Sequence, residues 1–370
     1  MNLSLILSNC LFCSLATLIL IPLLRQPCTL MYKKGIPIFF IVGIIFIKLL
    51  IPYEFSFTNT LASKNVLPII SNIMHFNLIK NITIGTAFTI LWISIILFIL
   101  IILFRSHQKL MQLLLFIPIT SNQEIIDILK TSCLQNKIRN IPRVIQLDLN
   151  TGPFITGFFH PIIVLPVNIT YNEAQFIIHH ELEHYIHSHI WIKACAEIIT
   201  IIYWWNPIIW ILRKELIRSL EVQADTNVIR DLSKEASFLY LETLINMTRQ
   251  LGKKKNNNLS LSFSIKNSMM EYRILTILKK PQKLISRKSF IFYICIILLS
   301  VIICLFSFIF TFESYQVNVA DVSGSFTIDA KIDYFVMKKD NSYDLYISNK
   351  YVGTLSSIPE EFLELPIYNE

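Results

Sequence analysis

Charged residues are scarce in this sequence. Only 16% of its 370 residues are Asp, Glu, Lys or Arg, 54% are hydrophobic, and the mean hydropathy is +0.56. This balance excludes an ordinary soluble enzyme, because the apolar excess is concentrated in runs long enough to cross a bilayer as helices. The formal net charge of +8 does not indicate direct nucleic-acid binding, since the Lys and Arg residues lie beside the apolar runs, as in membrane proteins.

Two further features are missing. No disulfide framework is visible, because Cys10, Cys13, Cys295 and Cys304 fall in apolar runs and no cysteine follows Cys304. Cys10 and Cys13 have the spacing of a redox pair, but inside an apolar helix we expect them only to pack. The first apolar run also lacks the basic start and the cleavage site of a signal peptide, so we expect a retained membrane helix.

Four apolar runs predict four transmembrane helices, at about Leu5–Leu24, Ile38–Pro52, Ile82–Phe104 and Phe290–Phe310. They divide the chain into three spans within 1–104, a polar domain at 105–289, a fourth span within 290–311 and a small tail at 312–370. The expected fold is a mainly α membrane protein with an embedded α+β domain and a β-rich tail.

The distribution of charge predicts the orientation in the membrane. The loop at 25–35 and the domain at 105–289 are rich in Lys and Arg, and such segments stay in the cytoplasm. In the tail, acidic residues outnumber basic ones. We therefore expect a multi-pass protein of the cell membrane whose N-terminus and tail lie outside and whose 105–289 domain is cytoplasmic.

A histidine pattern in that domain is the strongest chemical signal. His180-Glu181-x-x-His184 is an HExxH pattern, and a helix places positions i and i+4 on one face. Two imidazoles so placed can bind one Zn²⁺, with Glu181 beside it as a general base toward water. Thr170 and Glu173 form a capping box that predicts where this helix begins.

A catalytic zinc usually has a third protein ligand, and the sequence offers one downstream. The stretch 213–230 is predicted to be helical and carries Glu221 and Asp225 on one face. We predict Glu221 as the third ligand and Asp225 as the carboxylate that orients a ligand histidine through its free ring nitrogen. The alternative is that both acids pair with Arg218 or Lys214 on a solvated face.

The remaining histidines are weaker candidates. His187 shares the HExxH face, but it lies about 10.5 Å along the helix, too far for ligands that must come within about 2.1 Å of one ion. We expect His179, His187 and His189 to be polar or membrane-surface residues and His160 to be structural. Glu183 is expected to face away from the metal into solvent.

A small sheet is predicted before the HExxH helix. A helix opened by a Ser121–Glu124 capping box comes first, followed by short strands at Val144–Leu149, Phe154–Thr156 and Pro161–Leu165. An edge strand of such a sheet can hold an extended peptide by main-chain hydrogen bonds. The order of sheet and metal helix is that of zinc peptidases.

The apolar stretch Ala194–Leu212 is as hydrophobic as a membrane span. Asn206 and Pro207 interrupt it, and a crossing would place Glu221 on the far side of the membrane from His180. We therefore expect a buried or interfacial helical hairpin here.

As a set, these residues resemble the BlaR/MecR-type membrane metallopeptidases, the beta-lactam sensor-transducers and their relatives. The matching pieces, in order, are Gly152–Pro166, His180–His184, Trp205–Pro207 and Glu221–Asp225. The resemblance covers about residues 1–310 and implies a gluzincin-like zinc site with His180, His184 and Glu221 as ligands and Glu181 as base. It also implies that an extracellular signal triggers cleavage, in the cytoplasm, of a transcriptional repressor or of the protein itself.

The sequence departs from that family in two places. His189 stands where the family commonly has an acidic residue. The tail lacks the Ser-x-x-Lys and Lys-Thr-Gly motifs of a penicillin-binding domain, so beta-lactam sensing is not expected. Strand patterns at 325–329, 334–338, 343–348 and 351–355 predict instead a small module, either for an unknown extracellular ligand or without one.

Three functions fit these residues. The first is a signalling protease that acts on a cytosolic repressor or on itself. A self-cleavage site would lie in the Lys253–Asn258 stretch or near Arg273 and Ile274; the alternative is that this stretch is only a surface loop. The second is a membrane quality-control peptidase. The third is a receptor or scaffold with structural zinc, which the intact Glu181 argues against, because a structural site needs no base.

Overall fold

The computed structural model describes residues 3–25, 36–51, 53, 55, 57–63, 66–79, 82–148, 152–230, 232–253, 260–278, 287–314, 333–338, 342–347, 350–355, 358 and 365–369. Most of them are helical. The chain separates into two compact units, Met1–Ser314 and Tyr315–Glu370.

The first unit begins with α1 (Leu3–Leu24), α2 (Ile36–Leu50), β1 (Asn59–Ser63), α3 (Val66–His75), β2 (Asn77–Ile79), β3 (Ile82–Thr83) and α4 (Ile84–Phe116). It continues with α5 (Gln123–Gln135), β4 (Arg143–Leu147), β5 (Phe154–Thr156), β6 (Ile162–Pro166), α6 (Tyr171–Ile186), α7 (His189–Ile202) and α8 (Pro207–Arg230). It ends with α9 (Lys234–Lys253), α10 (Ser260–Leu278), α11 (Arg287–Ile309) and β7 (Phe310–Ser314), which pairs in parallel with β1.

Three of the described helices are long and apolar enough to cross a membrane, over Leu5–Leu24, Ile84–Phe116 and Ile291–Ile309. The second predicted span corresponds to α2, whose 15 residues reach about 22 Å, against about 30 Å of hydrocarbon. The structure therefore supports three spans, and a fourth crossing by α2 stays a prediction.

Helix α4 is longer than the predicted third span. It does not end near Phe104 but continues through Arg105 to Phe116. The physical reason is a second apolar contact: Leu114 is buried against Ile145 and Val164 of the sheet. The first part of α4 is thus long and apolar enough to span a membrane, and its last turns pack on one face of the sheet.

Helices α1 and α11 are joined by hydrogen bonds as well as by apolar packing. Ser300 Oγ donates to the main-chain oxygen of Ala16 at 3.2 Å, and Ser307 Oγ donates to Asn9 Oδ1 at 3.1 Å. Small hydroxyl side chains allow membrane helices to approach closely and bind one another where water is absent. The two helices therefore form a specific pair in the bundle.

The predicted three-stranded sheet is present, in the order β4-β6-β5, with β6 parallel to β4 and antiparallel to β5. Its central strand is continuously apolar because both faces are covered: Ile163 and Leu165 pack toward α5 and α6, and Ile162 and Val164 toward the end of α4. Strand β5 lies at an edge of the sheet and contacts α6.

The turn after β5 requires glycine. Gly157 has φ +95°, and a Cβ at this position would lie 2.3 Å from the main-chain oxygen of His160. Only glycine adopts this backbone conformation without strain or clash. The turn fixes where β6 begins.

The N-terminal cap of α5 differs from the predicted one. Helix α5 is capped by Asn122, whose side chain accepts a hydrogen bond from the backbone N–H of Glu124 at 3.0 Å. The predicted Ser121–Glu124 box is therefore not formed. Asn122 lies one residue closer to the helix, and its side-chain amide oxygen is an equally good cap acceptor.

The apolar stretch after the metal helix forms a helical hairpin, as predicted. Helices α7 and α8 run side by side, joined by a turn at 203–206, and Arg213 of α8 donates to Glu197 of α7 at 2.6 Å. At the turn, Asn206 Nδ2 donates to Ser14 Oγ at 2.9 Å and contacts Cys10 Sγ at 3.0 Å, near the middle of α1. Helix α8 therefore runs back alongside α7.

The described residues of the second unit form a four-stranded sheet, in the order β10-β9-β8-β11. Its strands are β8 (Tyr334–Met337), β9 (Tyr343–Ile347), β10 (Lys350–Leu355) and β11 (Ile367–Asn369), packed on a small core around Phe335. The first three lie where the alternating pattern predicts them, whereas the predicted strand at 325–329 falls outside the described residues.

Candidate metal centre

Helix α6 begins at the predicted capping box and buries the HExxH residues. Thr170 and Glu173 exchange hydrogen bonds, with Glu173 Oε2 accepting from the Thr170 N–H at 3.1 Å. One face of the helix packs on the sheet through Ile178 and Leu182. His180, Glu181 and His184 are only 7%, 5% and 4% exposed. The two imidazole rings lie 4.9 Å apart and nearly perpendicular.

Helix α8 brings Glu221 to these rings. Glu221 Oε2 lies 3.6 Å from His180 Nε2, and Glu221 Oε1 lies 3.5 Å from His184 Nε2. One donor atom from each of the three residues lies within 4.8 Å of the others. Two ligands of a tetrahedral ion with bonds of about 2.1 Å stand about 3.4 Å apart, so the spacing fits one zinc ion.

Behind His180 lies a pair of buried groups, Asp225 and Tyr240. Asp225 Oδ1 is 3.1 Å from His180 Nδ1, and the Tyr240 hydroxyl donates to the same carboxylate oxygen at 2.7 Å. The Tyr240 oxygen also lies 3.0 Å from His180 Nδ1. Both contacts are made to the ring nitrogen that faces away from Glu221, which leaves Nε2 directed into the cluster.

Two cations balance the buried carboxylates. Arg273 of α10 donates to both oxygens of Asp225, through Nε at 2.7 Å and Nη2 at 2.6 Å, and its Nη1 lies 3.5 Å from Glu221 Oε2. Lys193 of α7 donates to Glu221 Oε1 at 2.9 Å. The alternative that Glu221 and Asp225 pair with Arg218 or Lys214 on a solvated face does not hold.

These charges shift the pKa values of the cluster. Burial alone would lower the pKa of His180, but its hydrogen bonds to Asp225 and Glu221 raise it to about 9. Burial would raise the pKa of Glu221, yet Lys193 and His184 hold it well below its usual range. The pKa of Asp225 is likewise lowered, because the Arg273 guanidinium outweighs burial. Both carboxylates are therefore anions. Glu221 must be an anion to bind a metal, and Asp225 must be one to accept hydrogen bonds behind His180.

The donor set also fits zinc chemically. Two imidazoles and one carboxylate are a set that holds catalytic zinc and leaves a position open to water. Among the described residues, His180, His184 and Glu221 form the one cluster of three such groups. The assignment of these residues as ligands, of Glu181 as base and of Asp225 as the orienting carboxylate stays a prediction.

His189 does not lie at the surface, contrary to the prediction. It is fully buried at the start of α7, with its Nδ1 2.7 Å from Nδ1 of His184. Burial and the neighbouring His184 lower the pKa of His189 to about 2, so its ring is neutral. One of the two Nδ1 atoms donates to the other, and His189 thus contacts the side of His184 that faces away from Glu221.

The other polar residues of α6 lie outside the cluster. His179 Nε2 is 3.1 Å from Ser132 Oγ. His187 is half exposed and pairs with Glu183 at 3.2 Å. Glu183 is not freely solvated as predicted, because it also accepts a hydrogen bond from Asn227 at 2.7 Å. It ties α6 to α8 beside the metal-site cluster.

Sequence reasoning missed three members of the site. Tyr240, Lys193 and Arg273 lie on α9, α7 and α10, far from the motif, and carry no spacing pattern of their own. Of the three, only Arg273 stands out in the sequence, because it is a cation in a stretch whose other residues predict the apolar face of a helix. The sequence alone does not show that this cation faces a buried carboxylate.

Comparison with known proteins shows the family of this chain. Residues 7–277 match the model of the BlaR1 peptidase M56 family, and the chain belongs to that family. It is therefore a membrane-associated member of a peptidase family.

Two relatives named regulatory protein BlaR1 match part of the chain. The one from Bacillus licheniformis is 26% identical over 199 residues, which cover 52% of this chain and 33% of that protein. The one from Staphylococcus aureus is 30% identical over 126 residues, which cover 33% of this chain and 21% of that protein. The matched segments thus span a third or less of the length of these relatives.

Proposed function

We propose that this protein is an integral-membrane zinc metalloendopeptidase that converts an extracellular signal into cleavage of a cytosolic protein. The observation that carries the proposal is the convergence of His180, His184 and Glu221 next to Glu181, on two helices of a chain with apolar, membrane-length helices. Beside two His ligands and one Glu ligand, a further glutamate can act as the general base of hydrolysis, whereas a structural zinc site needs no base.

The chemistry follows from the residues around the site. When bound, zinc would polarise the scissile carbonyl and lower the pKa of water toward about 7. Glu181 accepts the proton of the attacking water and transfers it to the leaving amine. The edge strand β5 can hold an extended peptide by main-chain hydrogen bonds, and burial of the ligand face keeps the three ligand side chains in position.

The positive charge of the 105–289 domain supports a cytoplasmic site. In this arrangement α1, α4 and α11 cross the membrane, α2 is a fourth crossing, and the α7–α8 hairpin enters the bilayer and returns. The second unit then lies outside, where it takes the place of a sensor module. Residues 312–370 contain no Ser-x-x-Lys or Lys-Thr-Gly motif, so they offer no serine site for a beta-lactam.

The substrate is proposed to be a transcriptional repressor or the protein itself. The relatives' name, regulatory protein, supports a signalling role. Self-cleavage near Arg273 and Ile274 is disfavoured, because both residues lie within α10 and Arg273 is 8% exposed. The other candidate, the Lys253–Asn258 loop, lies outside the described residues apart from its first residue.

The Glu181→Gln variant tests the enzyme assignment. The full-length protein, purified in nanodiscs and loaded with Zn²⁺, is incubated with a mixture of fluorogenic peptides and analysed for cleavage of the peptides and of itself. We expect wild type to cleave and Glu181→Gln to bind zinc without cleaving, with Glu242→Gln, an exposed change on α9, as the active control. Equal turnover by Glu181→Gln would rule out this mechanism.

A second measurement tests the signalling role. Proteins cleaved in cells are mapped for wild type and for a chain that ends before Tyr315, where the second unit begins. Cleavage of one cytosolic target that depends on the second unit supports a transducer. Loss of many misfolded membrane proteins, unaffected by the truncation, indicates a quality-control peptidase instead.

A further inference from the structure

Helix α10 delivers a buried arginine to the metal centre. Arg273 donates to both oxygens of Asp225, at 2.7 Å to Oδ2 and 2.6 Å to Oδ1. It is 8% exposed, and its Nη2 also lies 3.4 Å from His180 Nε2. The sequence separation of 48 residues between Arg273 and Asp225 makes this a tertiary contact that depends on how α10 docks.

The geometry of this contact fixes the plane of the Asp225 carboxylate. A guanidinium that binds both oxygens is planar and rigid, so it allows one orientation of its partner. Asp225 in turn presents Oδ1 to His180 Nδ1 at 3.1 Å. The direction of His180 Nε2 therefore depends on Asp225, and that of Asp225 on Arg273.

The residue before Arg273 binds a different part of the molecule. The Tyr272 hydroxyl donates to the main-chain oxygen of Arg25, at the end of α1, with a distance of 2.7 Å. The Tyr272 ring stacks under the Arg218 guanidinium, 4.1 Å from the ring centroid. Two consecutive residues of α10 thus contact the end of a membrane helix and the metal centre.

A second contact fastens the same end of α1. Arg25 Nε donates to Glu215 Oε1 at 3.0 Å, and Arg218 donates to the other oxygen of Glu215 at 3.2 Å. The Glu215 side chain is only 3% exposed, so the pair is shielded from solvent. Residue 25 is therefore held to α8, which carries Glu221 and Asp225, as well as to α10.

We propose that α10 is a positioning element of the metal centre: Arg273 aligns Asp225 and through it His180, and Tyr272 couples that alignment to the end of α1. The inference rests on the proposed zinc site but not on proteolysis. If it is correct, a movement of α1 against α10 changes the affinity for the metal. The contact between these helices then couples the membrane helix to the active centre.

The affinity for Zn²⁺ tests the role of Arg273. It is measured by competition with a chromophoric chelator, on full-length protein in nanodiscs that carries Glu181→Gln, so that cleavage does not interfere. We expect Arg273→Met to weaken binding about 10- to 100-fold, as for other groups that orient ligands, and Arg273→Lys to restore part of it. Arg249→Met, a change of an exposed arginine on α9, is the control.

Two further readouts separate positioning from general stability. The visible spectrum of the Co²⁺-loaded protein reports ligand geometry and should change in Arg273→Met. Should Arg273→Met not fold, Asp225→Asn is compared with Asp225→Asn combined with Arg273→Met, a pair of changes that removes both buried charges. We expect that pair of changes to cost about as much affinity as Asp225→Asn alone, because Arg273 acts through Asp225.

Tyr272→Phe tests the coupling to α1. It removes one hydroxyl and keeps the ring under Arg218. We expect a two- to ten-fold loss of Zn²⁺ affinity, the scale of one hydrogen bond, and no further loss when Arg273→Met is already present. Unchanged affinity in Arg273→Met overturns the positioning role, and unchanged affinity in Tyr272→Phe overturns the link to α1. Wild-type protein that binds zinc but cleaves nothing contradicts the proposed function alone.

Discussion

Asp225 Oδ1 lies 3.1 Å from Nδ1 of His180, and both side chains are buried. A carboxylate on this nitrogen fixes the ring orientation and the tautomer, and it makes the other nitrogen a better metal ligand. The contact exists because a helical turn separates Glu221 from Asp225, so α8 presents one acid to each side of His180. One helix face therefore supplies a candidate ligand and the support for another.

Tyr240→Phe should destabilise the protein and weaken zinc binding. The change removes the hydroxyl that donates to Asp225 Oδ1 at 2.7 Å and leaves a buried carboxylate with one donor fewer. We expect a loss of about 1–3 kcal/mol in the free energy of unfolding, the scale of a buried hydrogen bond to a charged group.

Urea unfolding of the protein in mixed micelles, followed by tryptophan fluorescence, measures the effect of Tyr240→Phe. Tyr171→Phe is the matched control, because Tyr171 is 53% exposed at the start of α6. Equal stability of the two variants would show that the Tyr240 hydroxyl contributes nothing to the network.

The local parts of the site could be predicted from the sequence. The start of α6, its HExxH face and the acidic face of α8 follow from helical periodicity and a capping box, which act within a few residues. The hairpin between them followed from an Asn-Pro break and from the requirement that Glu221 return to His180.

The tertiary parts of the site could not be predicted. Arg273 and His189 acquire their roles from packing: one from the docking of α10, the other from the left-handed residue Ser188, which turns α7 back toward His184. No pattern in the sequence distinguishes them from a helix-surface arginine or a polar histidine. For the same reason the end of α4 was missed, since apolar residues that cover a sheet look like those that face lipid.

Glu221→Gln should abolish tight zinc binding. The amide keeps the shape of the side chain but removes its negative charge, which is the only anionic ligand group beside the two neutral imidazoles in the predicted zinc site. We expect a loss of affinity greater than the roughly 100-fold upper range for groups that only orient ligands. Chelator competition measures it, and Glu242→Gln, exposed on α9, should bind like wild type. Retention of wild-type affinity would exclude Glu221 as a ligand.

Gly157→Ala should disturb the turn between β5 and β6. The added methyl group meets the His160 carbonyl oxygen at 2.3 Å, and alanine disfavours φ +95°. We expect a destabilisation of about 1–3 kcal/mol, the range for strained backbone at such positions. Gly43→Ala in α2 has no atom within 4 Å of its added methyl and should be neutral or stabilising. Thermal unfolding of both variants distinguishes a required glycine from a tolerated one.

Labelling of single cysteines tests the arrangement in the membrane. In a background without native cysteines, Phe159→Cys, 74% exposed after β5, should react with an impermeant maleimide only once cells are opened, because its domain carries the basic residues. Tyr368→Cys in the second unit, 57% exposed, should react on intact cells. Reaction of Phe159→Cys from outside would reverse the proposed orientation.

The same experiment locates the α7–α8 turn. Trp205→Cys is 39% exposed, yet we expect slow labelling from either side, because its neighbour Asn206 contacts Ser14 near the middle of α1 and lipid surrounds the turn. A thiol in hydrocarbon stays protonated and unreactive. Detergent should restore its reaction, which separates lipid cover from burial in the protein. Fast labelling of Trp205→Cys on intact cells would instead mean that the chain crosses the membrane here, and His180 and Glu221 could then not share one ion.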